Sequence, residues 1–145
     1  MHSPRDPMLR EFQLINESPT KTKEDLNALA DKICELFTDD CILEDTSTTH
    51  VVHGLDELHG YCQELFGPFS DVRIEPKEII DAHDVSVMMI TISGTHTGDL
   101  YGHAATGNRV SWPAVAVYRC NPECTKVRHE TLAYDTGFII SQVAG

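Results

Sequence analysis

Asp45 is the residue of this chain best placed for chemistry. It follows Ile42 and Leu43, where a short apolar strand leaves a helical layer. A carboxylate partly removed from water there can exchange a proton near neutrality. The competing reading is a solvated loop acid, because Asp39, Asp40 and Glu44 stand close by in sequence. A second group lies in the last strand, KVRHETLAYD over 126–135. Alternation puts Glu130, Leu132 and Tyr134 on one face and His129, Thr131, Ala133 and Asp135 on the other. A carboxylate with a tyrosine can move a proton beside a carbonyl and stabilise the enolate that forms. The plainer alternatives are a surface pairing of Glu130 with Arg128 or Lys126, and core packing of Tyr134. Asp135, ahead of Thr136-Gly137, reads as a turn residue whose carboxylate bonds backbone amides.

Histidine is abundant, with eight in the chain. His96 and His103 sit in a glycine-punctuated stretch, His50 and His53 flank Val51-Val52, and His129 precedes Glu130. A His53–Asp45 pair could run a dehydration or an isomerisation. For any single histidine a surface or hydrogen-bonded structural position is the simpler reading. No H-x-x-x-H helix or carboxylate triad suggests a metal site, and Ser111 lies in no G-x-S-x-G. The five cysteines, odd in number, read as reduced thiols; Cys62 falls on an apolar helix face and reads as inert. Trp112 shares a strand face with Ala114, Ala116 and Tyr118, where large beside small leaves room for a flat or hydrophobic ligand.

These groups need a scaffold, and the pattern supplies one. Thr22–Phe37 reads as a helix, with Leu26, Leu29, Ala30, Ile33, Leu36 and Phe37 on one face, Thr22 as cap and Glu24 and Asp25 in the first turn. Cys41–Leu43 reads as a short strand. Gly54–Phe66 reads as a second helix, stopped by Gly67-Pro68. Strands follow at Val72–Ile80, Val85–Ser93, Arg109–Arg119 and Lys126–Asp135, with Pro76 and Pro113 marking edges or bulges. Between the middle two lies SGTHTGDLYGHAATGNRV, in which Gly94, Gly98, Gly102 and Gly107 free the backbone to bend. Helices first and a strand meander afterwards predict an α+β domain, with helices laid on the concave face of a curved antiparallel sheet. Such a cone suits a small-molecule ligand. The 145 residues read as one domain over 1–145, with 1–20 a short helical or frayed extension.

Bulk properties remove several function classes. The formal net charge of -12 is opposite to what phosphate binding needs, so no nucleic-acid or anionic-membrane partner is expected. No apolar run is long enough for a membrane span, and MHSPRDPMLREF has no secretory h-region, which points to a cytoplasmic protein. Apolar residues expected on the convex sheet face, Val115 and Val117, predict a homodimer.

GTHTGDLYGHAATGNRV at 94–110 resembles the glycine-rich strand–turn–strand signature of the SnoaL-like polyketide cyclases, in the nuclear transport factor two-like superfamily. FTDDCILED (37–45), HGLDELHGYCQELFGPFSDVRIE (53–75) and KVRHETLAYDTGFIISQVAG (126–145) extend the resemblance from about Ala28 onward. It implies a conical α+β barrel, often dimeric, that closes a polyketide ring by aldol addition with no metal or cofactor. The family's acid/base aspartate lies three positions before the terminal aspartate of the last strand, directly after a frequent tryptophan. With Asp135 as that terminal residue, the two positions hold Leu132 and Thr131, and the polar helpers of the preceding strand become Ala114 and Ala116. Leucine accepts no proton and alanine orients no enolate. Asp45 does match a pocket asparagine or aspartate of some cyclases.

The expected function is therefore cofactor-independent proton-transfer chemistry (cyclisation, isomerisation or dehydration) on a hydrophobic polyketide- or terpenoid-like molecule. Asp45 leads, Glu130 and Tyr134 assist, and Trp112, Leu132, Ala114, Ala116, His53 and His96 bind substrate. The alternatives are a non-catalytic ligand-binding or interaction module and a hydrolase of an epoxide or lactone.

Overall fold

Local signals set most element boundaries in the computed structural model, which describes residues 2–144. Helix α2 (Lys23–Cys34) begins in a capping box: Thr22 Oγ1 accepts from the Asp25 N–H at 3.1 Å, and the Asp25 carboxylate accepts from the Thr22 N–H at 3.2 Å. It ends earlier than its apolar period predicts. Phe37 opens strand β1 (Phe37–Asp45) instead, buried and paired with Val127. Helix α3 spans Gly54–Phe66, as its pattern predicts, and buries Leu58, Tyr61, Cys62 and Phe66. The segment before α2 is helical too: α1 (Asp6–Glu17) buries Pro7, Met8, Phe12 and Ile15.

The remaining strands are β2 (His50–His53), β3 (Phe69–Ala82), β4 (Val85–His96), β5 (Arg109–Cys120) and β6 (Val127–Tyr134), followed by the short helix α4 (Thr136–Ser141). They form one six-stranded sheet in the order β2-β1-β6-β5-β4-β3. The sheet is curved and unclosed. One neighbouring pair departs from the expected antiparallel pattern: β6 runs parallel to β1, with Leu43 opposite Glu130 and Asp45 opposite Leu132. The last strand slots between β5 and the first hairpin, and because β5 and β1 run in opposite directions it is antiparallel to only one of them.

Pro76 lies on the edge strand at a register shift, where no ladder N–H is required. Pro113 differs from expectation. It sits in a central strand with no shift against β4, opposite Thr91. The β5–β6 ladder begins only at Ala114, so on that side Pro113 lies beyond the end of its neighbour. Gly94 serves close packing: a Cβ there would stand 2.8 Å from Cβ of Phe69 on the adjacent strand.

The core fills the concave face. Met88, Ile90 and Ile92 of β4 and Val110, Trp112, Ala114, Ala116 and Tyr118 of β5 point inward, and α1 and α3 lie across them. Helix α1 is pinned to the edge strand β3. The Asn16 amide donates to the Ile74 carbonyl at 2.9 Å and accepts from the Ile74 N–H at 2.8 Å, while Arg5 Nε donates to Asp81 at 2.7 Å. The two Asn16 bonds use backbone groups that an edge strand otherwise leaves open. No helix among the described residues is long and apolar enough to cross a membrane.

Candidate active site

Asp45 ends β1 and turns inward, only 1% exposed. Its Oδ1 accepts the N–H groups of Ser47 (3.0 Å) and Thr48 (3.2 Å), the turn geometry that aspartate favours. Its Oδ2 accepts two phenol hydroxyls, from Tyr61 of α3 at 2.7 Å and from Tyr134 of β6 at 2.8 Å. A carboxylate offers about four lone-pair directions. All four are occupied, so Asp45 meets a substrate through its tyrosines rather than directly.

The β1–β6 junction is locked around this group. Ser47 Oγ donates to the Tyr134 carbonyl at 2.6 Å and accepts from the Tyr134 N–H at 2.7 Å. Thr46 donates twice to the Leu132 carbonyl, from its N–H and from its hydroxyl. Burial, followed by the charge of Asp45 and its hydrogen bond, drives the Tyr61 pKa far above the usual phenol value. Burial, then the bond and charge of Asp45, does the same at Tyr134. Both phenols thus keep their protons and donate them to Asp45. Each oxygen retains lone-pair capacity that Asp45 does not use.

Tyr61 and Tyr134 border a cleft of about 340 Å³, which Asp45, Thr48, His50, Glu64, Leu65 and Tyr101 complete. The Tyr101 hydroxyl neighbours that of Tyr134, and the His50 ring meets Tyr61 edge-on at 5.6 Å. An adjoining space of about 230 Å³ shares Glu64, Leu65, Tyr101 and Tyr134, and is walled by Trp112, Phe69, Leu100 and Ile139. Behind Tyr61 and Leu65 lies an inner chamber of about 40 Å³, lined chiefly by apolar and aromatic side chains and by two carboxylic acids, Glu11 and Glu130. Glu130 is 6% exposed. Burial first, then the charges of Glu11 and Asp45, lifts its pKa well above the usual carboxylate range. Glu11 is half-buried, and desolvation of its carboxyl in the chamber pushes it up to about 8.

The structure brings Asp45 and Tyr134 together at the outer cleft, whereas Glu130 faces the inner chamber. Leu132 lines the inner chamber and Trp112 the adjoining space. Arg128 pairs with Asp84 at 2.8 Å, so it leaves Glu130 free to face inward. Asp135 caps α4, accepting the Phe138 N–H at 3.1 Å. Four expected substrate contacts lie elsewhere. Ala114 and Ala116 are buried beneath the core and line none of these three spaces. His96 is fully buried; its Nδ1 accepts the Thr106 N–H at 3.2 Å and contacts the Thr106 hydroxyl at 2.9 Å, which holds the loop after β4, while its Nε2 has no partner among the described residues. His53 is exposed at the end of β2, beside Asp39 and Gly54, and forms no pair with Asp45.

Tyr61, Tyr101 and Glu11 were not legible as site residues, though two left a trace. Tyr61 falls with Leu58, Cys62 and Leu65 on one helical stripe, and Glu11 falls with Met8, Phe12 and Ile15 on another. A polar side chain on an apolar stripe is the signal. Tyr101 is carried by a loop, in a left-handed backbone conformation (φ 49°), which no period reports. Among the described residues no group of three or more His, Cys, Asp or Glu side chains is arranged to hold a metal ion.

A family model described as SnoaL-like polyketide cyclase matches residues 23–143. No curated protein matches the chain. Among solved structures, AclR from Streptomyces galilaeus, a candidate hydroxylase, shares 21% identity at a TM-score of 0.75, over 97% of this chain and 83% of that one. IdmH from Streptomyces antibioticus, a candidate polyketide cyclase, shares 16% identity at 0.75, over 99% and 100%. SalBIII, an epoxide hydrolase/cyclase-like enzyme with a role in pyran ring formation in the polyether salinomycin, shares 21% at 0.67, over 90% and 89%. These likenesses identify the fold.

Proposed function

Because the chain belongs to the SnoaL-like polyketide cyclase family, we propose that it is an enzyme that moves protons on a hydrophobic, carbonyl-bearing small molecule, with its own side chains as acid and base. Polyketide- or terpenoid-like substrates, and cyclisation, isomerisation or dehydration as outcomes, fit this reading. The observation that carries it is the buried Asp45 carboxyl, which accepts from two phenols at the wall of a cleft.

The family's usual aspartate position is Leu132, so the work falls to the groups around it. A proton leaving the carbon beside a substrate carbonyl passes to the Tyr134 oxygen while the Tyr134 proton moves to Asp45 Oδ2. The phenol ends neutral and Asp45 ends protonated. Glu130, kept protonated by burial, donates to the carbonyl oxygen and leaves its electron pair on the carboxylate. Register places Glu130 opposite Leu43, two residues before Asp45, so the backbone positions of the two carboxyls stand roughly 7 Å apart along the strands. The apolar wall of Trp112 and Leu100 holds the hydrocarbon body. The enol so formed then attacks within the same folded substrate, where proximity supplies much of the rate.

The test needs no knowledge of the natural substrate. The protein is incubated in heavy water with a panel of hydrophobic ketones and diketones, and deuterium at the carbon beside the carbonyl is read by mass spectrometry. Incorporation faster than the buffer rate for at least one compound supports the reading. Buffer-rate exchange across the panel overturns it and leaves a ligand-binding role for the cone.

A second reading rests on the inner chamber. At about 40 Å³ it has room for water, flanked by two carboxyls. Opening an epoxide or lactone needs a water held between a carboxyl and a second polar group. Oxygen from isotopically heavy water appearing in the product of a hydrophobic epoxide would favour this chemistry over enolisation.

A further inference from the structure

Glu11 lies outside the segment that the family model matches, which begins at residue 23. It nonetheless lines the same inner chamber as Glu130. Helix α1 puts it there by its stripe of Met8, Phe12 and Ile15, and the bonds of Arg5 and Asn16 to β3 hold the helix in place. The chamber wall is otherwise hydrocarbon, aromatic rings, one thiol and two phenols, with no Lys, Arg or His in it. Neither carboxyl has a side-chain or backbone hydrogen bond among the described residues. Two acids face one small space without a counter-ion.

We propose that Glu11 is a positioning residue for Glu130: the two carboxyls form one coupled acid in the inner chamber, and α1 thereby sets how readily Glu130 gives up its proton. The inference rests on the acid role given to Glu130 above. Two carboxylates in so apolar a space repel strongly, so loss of the first proton makes loss of the second harder. Other titratable groups are packed around Glu130. Asp45 stands two residues along β1, Tyr118 comes from β5, Tyr61 and Cys62 from α3, and Cys41 from β1. The phenols and thiols keep their protons at neutral pH, as burial raises the pKa of each. Glu11 and Asp45 are therefore the charges that act on Glu130. Asp45 has its charge spread over four hydrogen bonds, whereas Glu11 has none.

The test reads the carboxyls of the free protein, so it stands apart from whether any ketone is turned over. Glutamate side-chain carboxyl carbons are isotopically labelled and followed by NMR against pH, with E130Q used to assign the Glu130 signal. In E11Q the Glu130 titration moves down by about one pH unit or more. In E11D, which keeps an acid on α1, it stays near the wild-type position. A Glu130 titration unmoved in E11Q, or moved equally in E11Q and E11D, overturns the proposal. If coupling is present but the pH profile of ketone exchange does not follow it in E11Q, Glu130 is not the acid of the reaction.

Discussion

Replacing Asp45 with asparagine keeps the shape of the side chain and removes its charge. The amide oxygen can still accept from Ser47 and Thr48. The amide nitrogen must then face Tyr61 and Tyr134, which rotate their hydroxyls and accept instead of donating. Every group stays satisfied, yet four charge-assisted bonds become neutral. The difference is about 1 kcal/mol for each, so about 4 kcal/mol in all. Relief from burying an anion returns part of this. The net expectation is a loss of about 2 kcal/mol, or a fall in Tm of about 6 °C for a domain of this size. Asp45→Ala is different in kind. It strands two peptide N–H groups and two phenols at about 1–3 kcal/mol each, so it must cost clearly more than D45N. Thermal melts by circular dichroism measure both. In D45N the phenols also present O–H to the cleft where lone pairs stood, so ketone exchange is lost while the fold remains. Equal melting of D45N and D45A, or undiminished exchange in D45N, would refute the claim that Asp45 is an anion saturated by four donors.

The contribution of Glu11 and Glu130 to stability should fall as pH rises, because both bind protons more tightly in the folded chain than in the unfolded one. Near pH 4.5 the unfolded carboxyls begin to ionise while the native ones do not, and the loss continues until the native groups ionise, about pH 8 for Glu11. E130Q should match the wild type below about pH 4 and exceed it at pH 8 in urea unfolding; parallel curves for the two proteins count against a desolvated Glu130. On the convex sheet face Ile80, Met89 and Val115 are exposed, Val115 by 44%, and a homodimer that buries them is expected. Val115→Asp should then shift the sedimentation profile from dimer to monomer, and a monomeric wild type at micromolar concentration removes that expectation.

What the sequence disclosed was what local periodicity can carry. The α2 cap, the full extent of α3 and the shared strand face of Glu130 and Tyr134 follow from spacing over a few residues, whereas the inward turn of that face was implied by the family resemblance through Leu132. The parallel pairing of β6 with β1 does not, because it joins residues 87 to 90 positions apart. That pairing is what brings Tyr134 to Asp45, so the triad with Tyr61 was hidden even though Asp45 and Tyr134 were each in view. Glycine spacing flagged the loop after β4 but could not show which side chain it delivers to the cleft. The two misplaced histidines show the limit of residue type as a guide. His96 and His53 have suitable chemistry, but the first ring is used by Thr106 and the second faces solvent.

The most direct test compares ketone exchange in the wild type, Tyr134→Phe and Glu130→Gln, using the best compound from the panel and Val115→Asp as a control away from the cone. Each site variant should lose at least about tenfold in rate, the scale of a misplaced acid or base, while the control keeps its rate. Rates within twofold of wild type in both site variants would contradict proton transfer through these two groups.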